Sequence, residues 1–294
     1  MTHRFGGFLG FVAVVATAVG CRNVAEPVAR SPLKPPCMSA DAVVLEVFFV
    51  RFPMGQPEGN GLLWPEIDQM HVPAEVRQAL DRNGFCMGTV GGQVPVALAK
   101  LLELKDKPPP GPGTPETGVT DLEQEPRVVR RHIQTRAAAR NEIVASDTHE
   151  ELPVLLCDGS GVRGETFNGA QAVLAAKAFP QRDGRVRLKL VPEMHYGESK
   201  LRYVTSLGAL RIEPGRSRRV FDELAIEAVL APGGMIVLGT PTDRPGTLGH
   251  CFLTHNANGQ TEQKLLVVRL AQTQHDELFD AADVLPVDAL SEEK

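Results

Sequence analysis

The run Lys107-Pro-Pro-Pro-Gly-Pro-Gly-Thr-Pro-Glu-Thr-Gly118 cannot take part in any packed core. Its prolines carry no N–H to donate, and its alternating glycines make ordering costly, so the segment stays extended and solvated. It interrupts the chain as an interdomain linker or as a long loop inserted in one domain, and both readings stand. Every buried element must lie on one side of it or the other.

Before the interruption the pattern is regular. Val43-Val44-Leu45-Glu46-Val47-Phe48-Phe49-Val50 is apolar and β-branched, bounded by Pro53 and Gly55, and predicts a largely buried strand. Pro73–Leu80 predicts a helix, with proline early where its missing N–H costs nothing and Gly84 as the stop. Phe85–Val90 predicts a short strand. Pro95–Leu104 predicts a second helix that buries Leu98, Leu101 and Leu102. The order strand, helix, strand, helix predicts a small α+β unit.

After the interruption the chain reads as β-rich. In Arg185-Val186-Arg187-Leu188-Lys189-Leu190 the period is two, which puts the apolar residues on one face and Arg185, Arg187 and Lys189 on the other. Arg202–Ile212 holds two short runs around Ser206-Leu207-Gly208. Leu224–Leu230, the turn Pro232-Gly233-Gly234 and Met235–Leu238 predict a hairpin. Lys264–Leu270 predicts a last strand. Gly169–Phe179 suits a helix by its alanines and a strand by its tight bounds.

The N-terminus carries an address. His3 and Arg4 precede an apolar stretch from Phe8 to Val15, and Ala18-Val19-Gly20-Cys21 closes it. This resembles a bacterial lipoprotein signal, which implies cleavage before Cys21 and acylation of its thiol. Ala18 stands where such signals usually carry leucine, and an ordinary secretory signal or an uncleaved anchor are the alternatives. Acyl chains contribute about 0.8 kcal/mol per buried methylene, so a lipidated Cys21 is a firm anchor. The expected location is the cell envelope, on the outer membrane rather than the inner.

The 294-residue chain has a net charge of -5, which excludes a whole-protein nucleic-acid footprint. Export would place Cys37, Cys86, Cys157 and Cys251 in an oxidising compartment. Their wide spacing leaves disulfides and buried free thiols equally open.

No motif carries chemistry. Asp158-Gly159-Ser160-Gly161 lacks the flanking glycines of a nucleophile elbow and predicts a plain turn. His250 and Cys251 would point to opposite faces of an extended segment, so with His255 they predict no metal site. Gly88–Gly92 lacks phosphate-loop spacing. Arg127, Arg130, Arg131, Arg136 and Arg140 predict a solvated face, or attraction to anionic headgroups. No catalytic, cofactor-binding or metal residue is expected, and no cofactor.

The strand order resembles the secretin family of ring-forming outer-membrane proteins. Val44–Val50 is similar to the opening strand of the secretin module, and Val186–Glu193 to its strand ending in Pro-Glu. Leu230–Gly239 is similar to its late hairpin, Arg244–Phe252 to a shortened Pro-Gly-x-Leu-Gly run, and Lys264–Leu270 to its final strand. Thr240 replaces a second glycine, no ring-building modules precede Val43, and 163–185 is short for barrel hairpins. The resemblance implies a secretin-like sheet for assembly or docking, with no catalytic residues to carry over.

The expected class is α+β, a small N-terminal βαβα unit followed by an antiparallel, secretin-like sheet region. Its parts are a signal (1–20), a Pro-rich tether (21–40), the α+β unit (41–105), the linker or loop (106–126), the β-rich domain (127–275) and an acidic tail (276–294). The expected function is a non-enzymatic assembly or interaction module. Its partners would be a membrane through Cys21 and a further copy or an envelope protein, met through Arg185, Arg187 and Lys189. The alternative is a tethered hydrolase whose site gathers two or three of His71, His149, His195 and Asp158 in one cleft.

Overall fold

The computed structural model describes residues 42–103, 127–206, 209–257 and 259–274. The chain divides into Met1–Cys37 and Met38–Lys294, and every described residue belongs to the second unit. The expected signal, tether, Pro/Gly-rich segment 106–126 and acidic tail lie outside the described residues, as do Cys21 and Cys37.

The elements run β1 (Ala42–Pro53), α1 (Ala74–Arg82), β2 (Cys86–Val90), α2 (Val96–Leu102), β3 (Val128–Arg136), β4 (Arg140–Val144) and β5 (His149–Asp158). Then come β6 (Gly161–Pro180), β7 (Val186–Ser206), β8 (Ala209–Val220), β9 (Ile226–Leu230), β10 (Met235–Gly239), α3 (Leu248–Leu253), β11 (Thr254–Ala257) and β12 (Gln260–Thr273). The fold is β-rich and antiparallel, within the expected α+β class. One sheet has the order β2-β10-β12-β1-β3, with β11 also on β12. The other has the order β4-β6-β7-β8, with β5 on β6 and β9 on β7.

The two sheets share a core. Val43, Leu45 and Val47 of β1, Leu266 and Val268 of β12, Ala172, Leu174 and Ala176 of β6, and Leu188 and Leu190 of β7 all belong to it. A second cluster covers the opposite face of the first sheet, where Leu98 and Leu101 of α2 and Leu63 meet Val50, Val237 and Val267. This explains why β10 and the middle of β12 are apolar without alternation: both of their faces are buried.

The small N-terminal unit expected over 41–105 is not self-contained. Its elements occur in the expected order, but β10 and β12 lie between β1 and β2. Val43 pairs with Thr273 and Pro53 with Glu262 along β12. Strand β1 also pairs with β3 across the Pro/Gly interruption, from Ala42 with Arg136 to Val50 with Val128. The run therefore falls between strands of one sheet.

The hairpin expected around Pro232-Gly233-Gly234 is also corrected. Strand β9 pairs with β7, and β10 pairs with β12 and β2, so this turn carries the chain from one sheet to the other. Gly233 takes φ +86°, and its N–H donates to the Leu270 carbonyl at 2.7 Å, which docks the turn on β12. Gly169–Phe179 proves to be strand, inside β6.

Strands β6 and β7 have 20 and 21 residues, about 65–70 Å each at the rise of a β-strand. In β6, Gly161–Ala170 pairs with β5 and Gln171–Pro180 with β7. In β7, Val186–Leu190 pairs with β9, and Glu193–Ser206 with β8. Each strand thus serves the sheet over one part and a long hairpin over the other.

Candidate interaction face

The outer face of the second sheet carries two of the three expected contact residues. The alternation in β7 buries Val186, Leu188 and Leu190 completely and turns Arg187 and Lys189 outward. Arg185 is not on the strand. It sits in the turn before β7, where Asp183 accepts from its backbone N–H at 3.0 Å and from its guanidinium Nε at 2.6 Å. Alternation alone could not separate the last turn residue from the first strand residue.

The register joins Arg187 and Lys189 to residues from other strands. Arg140 of β4 lies opposite Lys177 of β6, Lys177 opposite Lys189, and Lys189 opposite Glu227 of β9. Three cations and one carboxylate therefore form a row across four strands. Glu227 receives Lys189 at 3.0 Å and Arg187 at 3.3 Å. The Lys189 ammonium, ahead of Arg187, holds the Glu227 carboxyl below its ordinary pKa against the opposing effect of burial. The Arg187 guanidinium lies over the Phe179 ring, 4.5 Å from its centroid, as a cation–π contact. Sequence reasoning missed Lys177, because Gly169–Phe179 suited a helix as well as a strand and Val173 and Ala175, on the same face as Lys177, are apolar too.

A buried carboxylate supports one end of this face. Glu193 of β7 is 5% exposed, and its Oε2 accepts from Arg140 at 2.6 Å and lies 3.0 Å from His195 Nε2. Arg140 also grips Glu142. Burial works to lower the Arg140 pKa, but Glu142 and Glu193 override it and raise it. A second carboxylate, Glu46, lies on the opposite face of β1 from Leu45 and Val47. Its side chain is 8% exposed and meets Arg130 and His132 of β3 and Arg269 of β12. Part of the basic run 127–140 thus has its charge answered inside the fold.

Of the residues that would have marked a hydrolase, His71, Asp158 and His195 are held by neighbours in the chain. His71 Nδ1 is 2.8 Å from Asp68 Oδ2. Asp158 Oδ1 accepts from the Ser160 N–H at 2.8 Å and from its hydroxyl at 2.5 Å, so this segment is the tip turn of the β5–β6 hairpin. His149 is opposite Ala170 and His195 opposite Gln171, so neighbouring positions of β6 send the two imidazoles to opposite faces.

Cys86, Cys157 and Cys251 are free thiols. Burial pushes the Cys86 and Cys251 thiols up to about 11, away from thiolate chemistry. The segment holding His250 and Cys251 is helix α3, not an extended strand, while His255 on β11 lies 3.2 Å from Asp147. Among the described residues no group of three His, Cys, Asp or Glu side chains is placed to hold a metal ion. Among them, too, no helix is long and apolar enough to cross a membrane.

No protein-family model matches this chain, and a search of curated proteins found no match.

Proposed function

We propose that this chain is a bacterial envelope lipoprotein, anchored through Cys21, whose folded part is a non-enzymatic, secretin-like assembly or interaction module. The observation that carries the reading is the outer face of the β5–β6 hairpin: Val154, Leu156 and Phe167 are buried in the core on its inner face, while apolar side chains stand exposed on the other. Val162 and Leu155 are 69% and 44% exposed there, and residues 161–164 are exposed on both faces. Contact with a further copy or an envelope protein would complete the burial of that outer face. The mixed-charge outer face of β4, β6, β7 and β9 suits the polar rim of such a contact.

The test joins sizing to anchoring. Protein solubilised in detergent is sized and crosslinked in its native envelope. An assembly larger than the monomer, or one recovered envelope partner, is expected. A monomer at high concentration with no crosslinked partner would sink the assembly reading. Wild type should incorporate labelled fatty acid, and Cys21→Ser should move the protein out of the membrane fraction; wild type that takes up no label would sink the anchor.

A further inference from the structure

Strand β2 is an edge of the first sheet, bonded to β10 along one side. Its other side is closed at one point. The Thr89 N–H donates to the Asp68 carbonyl at 2.7 Å, and the Thr89 carbonyl accepts from the Asp68 N–H at 3.1 Å. Beyond this bridge the chain turns away, held by the Asp68 carboxylate, which accepts from the Met70 N–H at 2.8 Å. In an antiparallel ladder, successive residues of a strand bond to opposite sides. Thr89 bonds toward the open edge, so Met87 points there too, while Cys86, Gly88 and Val90 bond to β10. Neither the N–H nor the carbonyl of Met87 has a partner among the described residues, although Met87 is only 3% exposed. Unpaired backbone groups hidden from water are costly, and an added strand removes that cost.

Phe85, Cys86 and Met87 line a cleft of about 450 Å³. Consecutive strand residues alternate faces, so a cleft touching all three runs along the edge itself. Helix α1 forms one wall with Arg77, Gln78 and Leu80, and Trp64 forms the other. The Trp64 ring lies against Gly239, which is opposite Cys86 in the β10–β2 ladder. Its Nε1 already donates to the Gly59 carbonyl at 3.1 Å, so the ring offers apolar surface. Arg77 stands at the end that the Asp68 bridge closes. Its Nη1 donates to the Gln69 carbonyl at 3.0 Å, and no carboxylate pairs with it among the described residues. Asp81, also on α1, is already paired with Arg244 at 3.2 Å.

We propose that this cleft binds the C-terminal end of an extended peptide, which adds to β2 beside Met87 and sets its carboxylate on Arg77. Met87 offers one donor and one acceptor, and a peptide backbone answers both, whereas a simple carboxylate has no donor. A strand paired with Met87 meets the Asp68–Met70 segment at its next position, so a chain end fits there and a continuing chain does not. Arg77 gives that end a charge-assisted partner. Trp64 and Phe85 take the last apolar side chains, and the volume lies within the range of small-ligand sites. The cleft is separate from the outer face of the second sheet, and it stands or falls independently of the assembly reading.

Trp64 is the chain's only tryptophan, so its fluorescence reports on this cleft alone. The peptide acetyl-Thr-Thr-Val-Leu, with a free carboxylate, is titrated into the full chain in detergent at about 0.15 M salt. A saturable change is expected. The C-terminal amide, and the peptide N-methylated at its last two residues, should each bind at least about tenfold more weakly. Arg77→Gln, at a half-exposed position, should erase the preference for the carboxylate over the amide with an unchanged thermal transition. Hydrogen exchange locates the contact: the Met87 amide should exchange more slowly in the complex, and the Gly88 amide, already bonded to β10, should not change. The absence of saturable binding, the amide or the methylated peptide binding as tightly as the acid, hexanoate binding as tightly as the peptide, or unchanged exchange at Met87 would each overturn the proposal.

Discussion

Glu46 and Arg269 lie opposite each other on β1 and β12, with Oε2 and Nη1 3.2 Å apart, and Arg130 closes on the other carboxylate oxygen from β3. One carboxylate thereby ties three neighbouring strands of the first sheet, β12, β1 and the edge strand β3, together. Burial acts to raise the Glu46 pKa, but Arg130, then Arg269 and His132, override it and hold the carboxyl below its ordinary value of 4.5.

The sign of the pH dependence follows from that depression. A carboxyl that titrates lower in the folded state stabilises the fold above its unfolded value of 4.5, and this is lost as pH falls through the folded value. Glu46→Gln should therefore cost about 1–2 kcal/mol at neutral pH, a modest figure because both arginines reach solvent. Urea unfolding of both proteins between neutral and acid pH measures it. The gap should narrow in acid, and a gap independent of pH would refute the ion-pair account.

The two faces of β7 should respond in opposite ways. Leu188 is fully buried, so Leu188→Ala should cost about 2–5 kcal/mol. The pair Arg187→Glu and Lys189→Glu should cost no more than about 1 kcal/mol, since both partners of each ion pair are exposed. Adding Arg185→Glu should change stability little further. If the outer face mediates assembly, the reversed variant should lose self-association or partner recovery while its thermal transition stays nearly in place.

Gly249 leaves no room for a side chain. Its N–H donates to the Asn83 carbonyl at 2.8 Å, and a methyl group there would collide with the Gly84 carbonyl oxygen. Gly249→Ala should destabilise by about 3 kcal/mol through the shift forced between α3 and the end of α1. Gly91→Ala, with open space around it, is the matched control and should unfold close to wild type.

Thiol labelling checks the burial of the cysteines. With pKa values pushed up to about 11, the Cys86 and Cys251 thiols are ~0.1% thiolate at mildly alkaline pH. Iodoacetamide should label both slowly in the native protein and rapidly after denaturation, as followed by mass spectrometry. Fast native labelling of Cys251 would contradict the packing of α3 against the core.

Local elements were legible where a few neighbouring residues decide them. Pro73 before α1 and Pro95 before α2 stand at the caps, and the leucines of α2 recur at helical spacing. The alternation of Val186, Leu188 and Leu190 marked a one-sided strand, and the eight apolar-rich residues from Val43 marked a buried one. What a strand would pair with was another matter. The Pro232-Gly233-Gly234 turn has the local chemistry of a hairpin, yet β9 and β10 part into different sheets because each finds more apolar surface to cover there.

The proposed sites show the same division. The basic run from Arg127 was visible, but nothing near it in the chain said that Arg130 would meet Glu46, 84 residues away, or that Arg269 would meet it from 223 residues away. The cleft along β2 draws its walls from nearby residues, Trp64 to Met87, yet the pairing of β2 with distant β10 decides which edge stays open. Period and capping act over a turn or a strand and are written residue by residue. Sheet order and register are settled by which surfaces can be buried together, and only the folded chain makes that choice.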